Sequence, residues 1–276
     1  MLVAQARSSH KRSMPAELFD MQLRAMRRDR AKRRGPETFL HQRAFEDCLD
    51  RLKVVRRKFS SALLIGCPDP GWPSCLREIA GRVQVADPGP LFAASAGGDW
   101  MIEDRAELET DSYDLCVAIG TLDTVNDLRL ALRSIRHSLR ADSLFMGALV
   151  GGDSLPRLRN AMRAADAAMG AASPHVHPRI EAAALAPLLE EAGFIMPVID
   201  IDRVRVAYES MARLVADLRA MGATNVLAQR DRRSLTRAAW IAAAAAFAGE
   251  PATKTVEVFE VLHFAAWTTA EMPSAR

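Results

Sequence analysis

The sequence of 276 residues has few of the groups that build metal centres or cross-linked folds. It contains 4 cysteines. None forms a CxxC pair, so we predict neither a metal site nor a disulfide framework. Unpaired cysteines are typical of a reducing compartment, and we expect a cytoplasmic protein. No apolar run reaches the ~18 residues that a membrane helix needs, and no signal-peptide pattern opens the sequence. We therefore expect no transmembrane segment.

Acidic residues are missing from the first sixteen positions, which carry Arg7, Lys11 and Arg12. Such a start resembles an organelle transit peptide. The alternative, which we favour, is a disordered basic start.

The net charge of +3 conceals a strong asymmetry, because residues 1–60 hold 16 Lys and Arg against 7 Asp and Glu. The basic charge of the chain is thus concentrated in its N-terminal part.

Aromatic residues are absent from the densest basic cluster, RAMRRDRAKRRG at residues 24–35. The cluster could contact an acidic partner, a nucleic acid or an anionic lipid. Because no aromatic side chains are interleaved for base stacking, we expect no nucleic-acid partner. We favour a solvated face of an amphipathic helix. Its buried side would then carry Leu18, Phe19, Leu23 and Met26.

Hydrophobic periodicity predicts two opening helices, followed by alternating strands and helices. The helices fall at 15–35, 37–58, 73–80, 127–139, 155–169, 181–192, 209–221 and 231–248. The strands fall at 61–66, 83–87, 100–104, 113–120, 143–151, 197–208 and 255–267. Parallel strands need crossover helices, so this order indicates an α/β sheet covered on both faces.

The first strand leads into a glycine loop, in SALLIGCPDPGW at residues 61–72. A strand, a glycine turn such as Gly66, a helix and a second strand ending in an acid, Asp87, form the plan of a nucleotide site. The glycine lets the backbone approach the ligand, and the acid accepts hydrogen bonds from ribose. Pro68 and Pro70 lie inside the loop and remove backbone N–H donors. We expect the fold to be kept and the cofactor chemistry to be altered.

Several longer segments together resemble one family. They are ELFDMQLRAMRRDRA, YDLCVAIGTLDTVNDL, LFMGALVGGDSLPRLR, SPHVHP, PLLEEAGFIMPVIDIDRVRVAY, DLRAMGATN and PATKTVEVFEV. The chain resembles the class I S-adenosylmethionine-dependent methyltransferases of type 11, in the branch of the complex I assembly factor and arginine hydroxylase. The resemblance implies a Rossmann-like, seven-stranded sheet whose last strand is antiparallel. It also implies an N-terminal basic tail and helical cap (1–58) before a methyltransferase domain (59–276), with a helical insertion at about 209–250.

The resemblance assigns cofactor-binding roles to the ends of the first four strands. Asp87 would hold the ribose hydroxyls, although an Asp-Pro pair also begins turns. Asp104 would face the adenine amine, and Glu103 is an alternative. The complete set of implied cofactor residues is Gly66, Cys67, Gly71, Asp87, Asp104, Ile119 and Gly120.

A substrate cleft is expected beside the cofactor. Asn126 and Asp127 would face it, or would cap the following helix. Asp153 has the same two alternatives, since it precedes a predicted helix. His175 belongs to an HxH pair, which can ligate a metal but is more simply a surface loop. We identify no catalytic base.

Three departures from the family pattern fall at the cofactor loop and at a segment expected to face the substrate. Leu64 replaces an acid, Pro68 replaces the middle glycine, and LDTVND replaces LHWVND. Lost donors of this kind weaken binding by about 1–3 kcal/mol each. They leave three hypotheses open. In the first, the chain is an adenosylmethionine-dependent methyltransferase (class EC 2.1.1) with an unknown acceptor. In the second, it is an assembly factor or arginine hydroxylase-like protein that acts on a protein subunit. In the third, it is a non-catalytic binding module. The sequence holds no recognisable 2-His-1-carboxylate iron site.

Overall fold

A computed structural model describes residues 17–250 and 253–270. Their strands form one seven-stranded sheet in the order β3-β2-β1-β4-β5-β7-β6. β7 is antiparallel to both of its neighbours, and the other pairs are parallel. The predicted seven-stranded sheet is therefore confirmed, including its antiparallel last strand. The strands are β1 (Phe59–Ile65), β2 (Ala80–Asp87), β3 (Asp99–Trp100), β4 (Tyr113–Ile119), β5 (Leu139–Val150), β6 (Ile195–Tyr208) and β7 (Thr255–Trp267).

Helices cover both faces of the sheet, as parallel strands require. One apolar core lies between the sheet and the fifth and seventh helices, and a second lies under the second and third helices. The helices are α1 (Met21–Arg34), α2 (Phe39–Val55), α3 (Trp72–Arg77), α4 (Pro90–Ser95), α5 (Leu128–Ser138), α6 (Pro156–Met169), α7 (Ala182–Glu191), α8 (Met211–Ala220) and α9 (Arg237–Phe247). Within the described ranges, no helix is long and apolar enough to cross a membrane.

Two elements between β2 and β4 differ from the sequence prediction. The strand expected at 100–104 is wrong in its bounds, because only Asp99 and Trp100 pair with β2. After them the chain turns, and Arg105 donates its backbone N–H to Ile102. α4 was not predicted, because its six residues are too few to show a helical period.

The prediction for the buried side of α1 is also wrong in part. Phe19 is buried as expected, but Leu18 and Met26 are 46% and 55% exposed. The buried stripe of α1 carries Arg24 and Arg28 instead. These arginines are buried because each meets a buried carboxylate, Glu103 in the turn after β3 or Asp87 at the end of β2, so ion pairing overrides the apolar pattern.

Gly147 of β5 is a position at which the packing of the central strands can be tested. A Cβ added at Gly147 in β5 would lie 2.0 Å from the carbonyl oxygen of Ala118 in β4. We predict that Gly147→Ala lowers the free energy of unfolding by about 1–3 kcal/mol, as overpacked cores do. Urea denaturation measures it. Gly249→Ala, where a Cβ would make only ordinary contacts, is the control. Equal stability of the two variants would contradict the packing.

Candidate functional site

The loop after β1 turns at Gly66, which has a φ of +82°. A Cβ there would lie 2.3 Å from the carbonyl oxygen of Ile119, so glycine is required on both counts. The backbone N–H of Gly66 donates to Ala86 and ties the loop to β2. Next to it, Cys67 is fully buried. Burial, followed by the charge of Asp87, raises the pKa of the Cys67 thiol to about 12. This thiol stays protonated near neutral pH and is not a nucleophile.

The carboxylate of Asp87, at the end of β2, is fully engaged by the chain itself. Arg28 of α1 donates from Nε to Oδ1 at 2.9 Å and from Nη2 to Oδ2 at 2.7 Å. The backbone N–H groups of Cys67 and Gly89 donate to the same carboxylate at 2.8 and 2.6 Å. An ionised carboxylate has about four acceptor positions. All of them are therefore used.

A second arginine of α1 engages the end of the next strand. Arg24 donates from Nη1 and Nη2 to the two carboxylate oxygens of Glu103 at 2.7 and 2.8 Å. It also donates to the carbonyl oxygen of Thr121 at 2.6 Å. Burial alone would lower the pKa of Arg24, but Glu103 raises it above its ordinary value. Both side chains are buried, so the pair is a fixed part of the structure.

The position of α1 depends on two glycines that flank Arg28. A Cβ on Gly89, before α4, would lie 2.8 Å from Cβ of Arg28. A Cβ on Gly222, after α8, would lie 3.0 Å from Cα of Arg28. On the α4 side, Asp29 also accepts the backbone N–H of Leu91 at 2.9 Å. α1 is thus seated closely between the β2–α4 turn and the end of α8.

The proline-containing part of the β1–α3 loop turns away from this ion pair. The carboxylate of Asp69 accepts the backbone N–H of Gly71 at 2.7 Å and so serves its own loop. Trp72 is buried and stacks on Phe45 of α2, with ring centroids 4.2 Å apart. Its Nε1 donates to Gln42 at 2.7 Å. The tryptophan anchors α3 to α2, and Gly71 lies exposed at the start of α3.

A cavity lies on the other side of Arg24 and Arg28, at the carboxyl ends of β4 and β5. The space within it that water-sized molecules can reach is about 80 Å³. Most of the wall is apolar and comes from α2, α8 and the central strands. Its apolar residues include Leu40, Ile119, Leu149, Leu218, Phe259 and Val261.

His41 of α2 stands at one end of this cavity, against Gly120. A Cβ on Gly120, which has a φ of +62°, would lie 2.7 Å from Cδ2 of the histidine. His41 Nδ1 is sealed from water and has no partner among the described residues. Burial, with the nearby charge of Arg28, lowers the pKa of His41 to about 4. The ring is therefore neutral near neutral pH.

The other polar end of the cavity holds a buried ion pair and a second neutral histidine. Arg179 donates from Nη1 to the carboxylate of Asp123, and both side chains are buried. His177 Nε2 accepts the backbone N–H of Val226 at 2.9 Å. Burial, followed by the charge of Arg179, lowers the pKa of His177 to about 4. The charges in the cavity are thus paired, and its histidines are uncharged.

The sequence-predicted residues fall into two groups. Near Asp87 and the cavity lie Gly66, Cys67, Ile119 and Gly120, whereas Asp104 contacts the start of α5. Asp104 accepts the backbone N–H of Asp127 at Oδ2, whereas its buried Oδ1 has no partner among the described residues. Gly71 lies outside this group.

The proposed cleft residues have mainly local partners. Asn126 exchanges hydrogen bonds with the backbone of Phe19, and Asp127 caps α5 by accepting from Leu130. The Asp153 side chain is 66% exposed and faces Arg203 of β6. His175 pairs with Asp166 at 2.7 Å. Across residues 17–250 and 253–270, no three His, Cys, Asp or Glu side chains come together as metal ligands.

Sequence reasoning missed the groups that fill the site. Arg24, Arg28, His41 and Arg179 were not expected there. One signal was available for the α1 arginines: they lie four residues apart, and so on the same face of a helix. Their acidic partners are 79 and 59 residues away in sequence, which no local pattern reveals.

Two solved structures superpose on the fold described above. YcgJ of Bacillus subtilis superposes with a TM-score of 0.55 at 11% identity, over 82% of this chain and all of that one. A candidate methyltransferase of Bacillus halodurans C-125 gives 0.55 at 8% identity, over 80% and 99%. With the strand order and the glycine loop facing the acid of β2, these likenesses define a class I methyltransferase fold. No protein-family profile matches the chain.

Sequence relatives define the family more narrowly. Arginine-hydroxylase NDUFAF5 of Danio rerio is 30% identical over 244 residues, covering 83% of this chain and 75% of the relative. The Homo sapiens protein of the same name is 30% identical over 247 residues, covering 83% and 70%. A malonyl-[acyl-carrier protein] O-methyltransferase of Laribacter hongkongensis is 31% identical over 176 residues, covering 62% and 56%. The chain belongs to the methyltransferase-like family of NDUFAF5.

Adenosylmethionine does not fit the residues in this arrangement. Its ribose would need acceptors on Asp87, and Arg28, Cys67 and Gly89 have taken them. Pro68 and Pro70 offer no backbone N–H groups in the adjoining loop. The methyltransferase fold is present, while the carboxylate predicted to hold the ribose is engaged by α1 and by two loop N–H groups.

The Arg28–Asp87 pair yields a stability prediction. Arg28→Met leaves a buried carboxylate charge without its cation, which costs about 3–5 kcal/mol. Urea denaturation should show that loss, whereas Arg33→Met, at a side chain 65% exposed, should show little. Adding Asp87→Asn to the Arg28→Met variant should recover part of the loss, because the buried charge is then gone. Equal losses for the two arginine variants would contradict the pairing.

The two cavity histidines predict a pH dependence. Their pKa values, about 4, lie below the ordinary 6.5. Below pH 6.5 the unfolded chain therefore takes up protons that the folded chain does not. Stability should be full above that pH and fall toward pH 4, by about 1.4 kcal/mol per pH unit for each histidine.

Unfolding measured at a series of pH values tests this dependence. His177→Asn should make the slope shallower, and His137→Asn, at an exposed position of α5, is the matched control. A slope that neither variant changes would contradict the assignment to His177.

Proposed function

We propose that this chain is a binding or assembly protein that keeps the methyltransferase fold and works without adenosylmethionine. One observation carries the proposal: the chain's own Arg28 and two backbone N–H groups use all the acceptor positions of Asp87. The close seating of Arg28 between Gly89 and Gly222 supports it, because α1 fits this position without a gap. The cavity at the ends of β4 and β5 is then the site left for a ligand.

The partner we propose is a protein, such as a subunit of a respiratory complex. Support comes from the relatives named arginine-hydroxylase, whose names state that they act on arginine. Asp87, Glu103 and Asp123 are each occupied by a guanidinium group of this chain, so these carboxylates do not select the partner. No reaction step is assigned to these residues.

A second candidate is adenosylmethionine-dependent methyl transfer after α1 moves aside. A specific observation favours it: the buried Asp104 Oδ1 has no partner among the described residues, although the family resemblance expects an acceptor there for the adenine amine. Gly66 also keeps the tight turn of a nucleotide loop. In this candidate, Arg28 competes with the ribose for Asp87.

Location and domain limits form a further part of the proposal. We propose a reducing, cytoplasm-like compartment, which the four free cysteines support, although the NDUFAF5 relatives are named mitochondrial. We propose residues 1–58 as a basic tail and helical cap, and 59–276 as the methyltransferase-like domain. The helical insertion at about 209–250 contains α8 and α9, which lie between β6 and β7.

Calorimetric titration with adenosylmethionine and with adenosylhomocysteine separates the two candidates. For the unaltered chain we expect no binding at millimolar ligand, since the ribose acceptors are taken. Arg28→Lys, which keeps the charge but loses the two-pronged hydrogen bond, and Arg28→Met should also fail to bind, because Pro68 and Pro70 still offer the ligand no backbone N–H groups. Arg33→Met is the matched control.

Folding of each variant is checked by a cooperative thermal transition. Micromolar binding by the unaltered chain would contradict the first candidate. Binding gained only by the Arg28 variants would establish the second, with α1 as the competitor of the cofactor.

A further inference from the structure

An open groove lies beside the cavity, between α6, α8 and α9. The space that water-sized molecules can reach in it is about 210 Å³, against about 80 Å³ in the cavity. Its walls are mostly apolar and come from the three helices and the segments next to them. The apolar side chains include Leu158, Met162, Val176, Val215, Leu235 and Trp240. We call this feature the α6–α8–α9 groove.

The groove leaves part of an apolar core uncovered. Leu158 and Leu218 belong to the core that packs α6, α8 and α9 together. Four further apolar side chains pack against that core but are only half-buried: Met162, Val176, Val215 and Leu235. Trp240 of α9 is 38% exposed. A concave surface lined by partly exposed apolar side chains is typical of a site for an apolar ligand.

The groove and the cavity share a wall, which we call the partition. Six residues line both spaces: Leu155, His177, Arg179, Leu218, Ala223 and Thr224. The two spaces are therefore adjacent, with these side chains between them. Ala223 and Thr224, in the turn after α8, have short side chains, so a narrow chain has little to displace where they stand.

Leu155 of the partition has an unusual backbone conformation. Its φ is +61° and its ψ is +43°, a left-handed combination that bulky side chains rarely adopt. Its backbone N–H donates to the carbonyl oxygen of Val258 at 2.8 Å, and its side chain is buried. Strain of this kind persists where the surrounding structure fixes a residue, and it is frequent at ligand sites. The leucine is thus held in place between the groove and the cavity.

Neither space presents an unpaired charge among the described residues. In the partition, Arg179 is paired with Asp123. In the groove, His175 is paired with Asp166 at 2.7 Å. The two arginines of α1 that reach the cavity are paired with their own carboxylates. A charged group inside either space would have to break one of these pairs, so both favour an uncharged occupant.

We propose that the groove and the cavity together bind the alkyl chain of a single-chain, lipid-type ligand. The chain enters by the groove and passes the partition into the cavity. Its polar end stays at the open mouth of the groove, because a polar group taken into the cavity would lose its hydration. A helix of a partner protein, about 10 Å across, could lie on the groove but could not pass the partition. The proposal rests on the proposed function in one respect, since it fills the cavity which that function leaves for a ligand.

Calorimetric titration of the full chain with hexanol, octanol and decanol tests the proposal. We expect saturable binding whose affinity rises about fourfold for each added methylene group, as burial of the chain requires. Trp240→Ala removes one wall of the groove and should weaken decanol binding at least tenfold. Trp100→Ala is the matched control, because it makes the same change at a tryptophan of β3 that is 56% exposed.

A second variant tests whether the chain passes the partition. Thr224→Phe places a ring between the groove and the cavity, so hexanol should bind as before while the gain from octanol to decanol disappears. Thr269→Phe, at an exposed position after β7, is its control. A cooperative thermal transition checks the folding of each variant. Trp240 is partly exposed, so its variant keeps the test valid if Thr224→Phe fails to fold.

Three results would overturn the proposal. They are no saturable binding of any of the alcohols, an equal loss of affinity in Trp100→Ala, and an unchanged gain from octanol to decanol in folded Thr224→Phe. These titrations contain no adenosylmethionine. A chain that binds neither the alcohols nor adenosylmethionine refutes this proposal alone, whereas micromolar adenosylmethionine binding refutes the proposed function whatever the alcohols do.

Discussion

The buried ion pair between Arg28 and Asp87 holds the N-terminal helix and the cleft in one arrangement. The carboxylate stands at the end of β2, and a parallel sheet of this order places its ligand sites at that edge. Because the chain supplies a two-pronged donor of its own, the acid is satisfied without any ligand. The glycines at 89 and 222 let the helix approach closely enough for this pairing.

The other buried carboxylates of the cleft are likewise paired with arginines of the same chain. Glu103 meets Arg24, and Asp123 meets Arg179, so each buried acid has its own cation. His41 and His177 are neutral, which leaves the cavity without net charge. A cavity of this kind selects its occupant by shape and by single hydrogen bonds rather than by charge.

The sheet could be predicted because every long strand carries its own local signal, from the apolar run of β1 to the alternation in β6 and β7. β3 could not, because two residues have no period and are defined only by pairing with β2. The acid at position 87 and the glycine at position 66 were predictable from their places at strand ends. The filling of the cleft was not, since Arg24 and Arg28 resemble solvent-facing residues until their distant acidic partners are known.

The placement of α1 also bears on the order in which the chain folds. Among the described residues α1 precedes the sheet in sequence, yet its buried arginines have no partners until β2 and the turn after β3 are in place. Its contacts span 59, 79 and 97 residues, separations that close slowly. Contacts of this separation favour docking of α1 after the sheet has formed. Without α1, Asp87 and Glu103 would lack these cations, so the cleft of the sheet alone would differ from that of the folded protein.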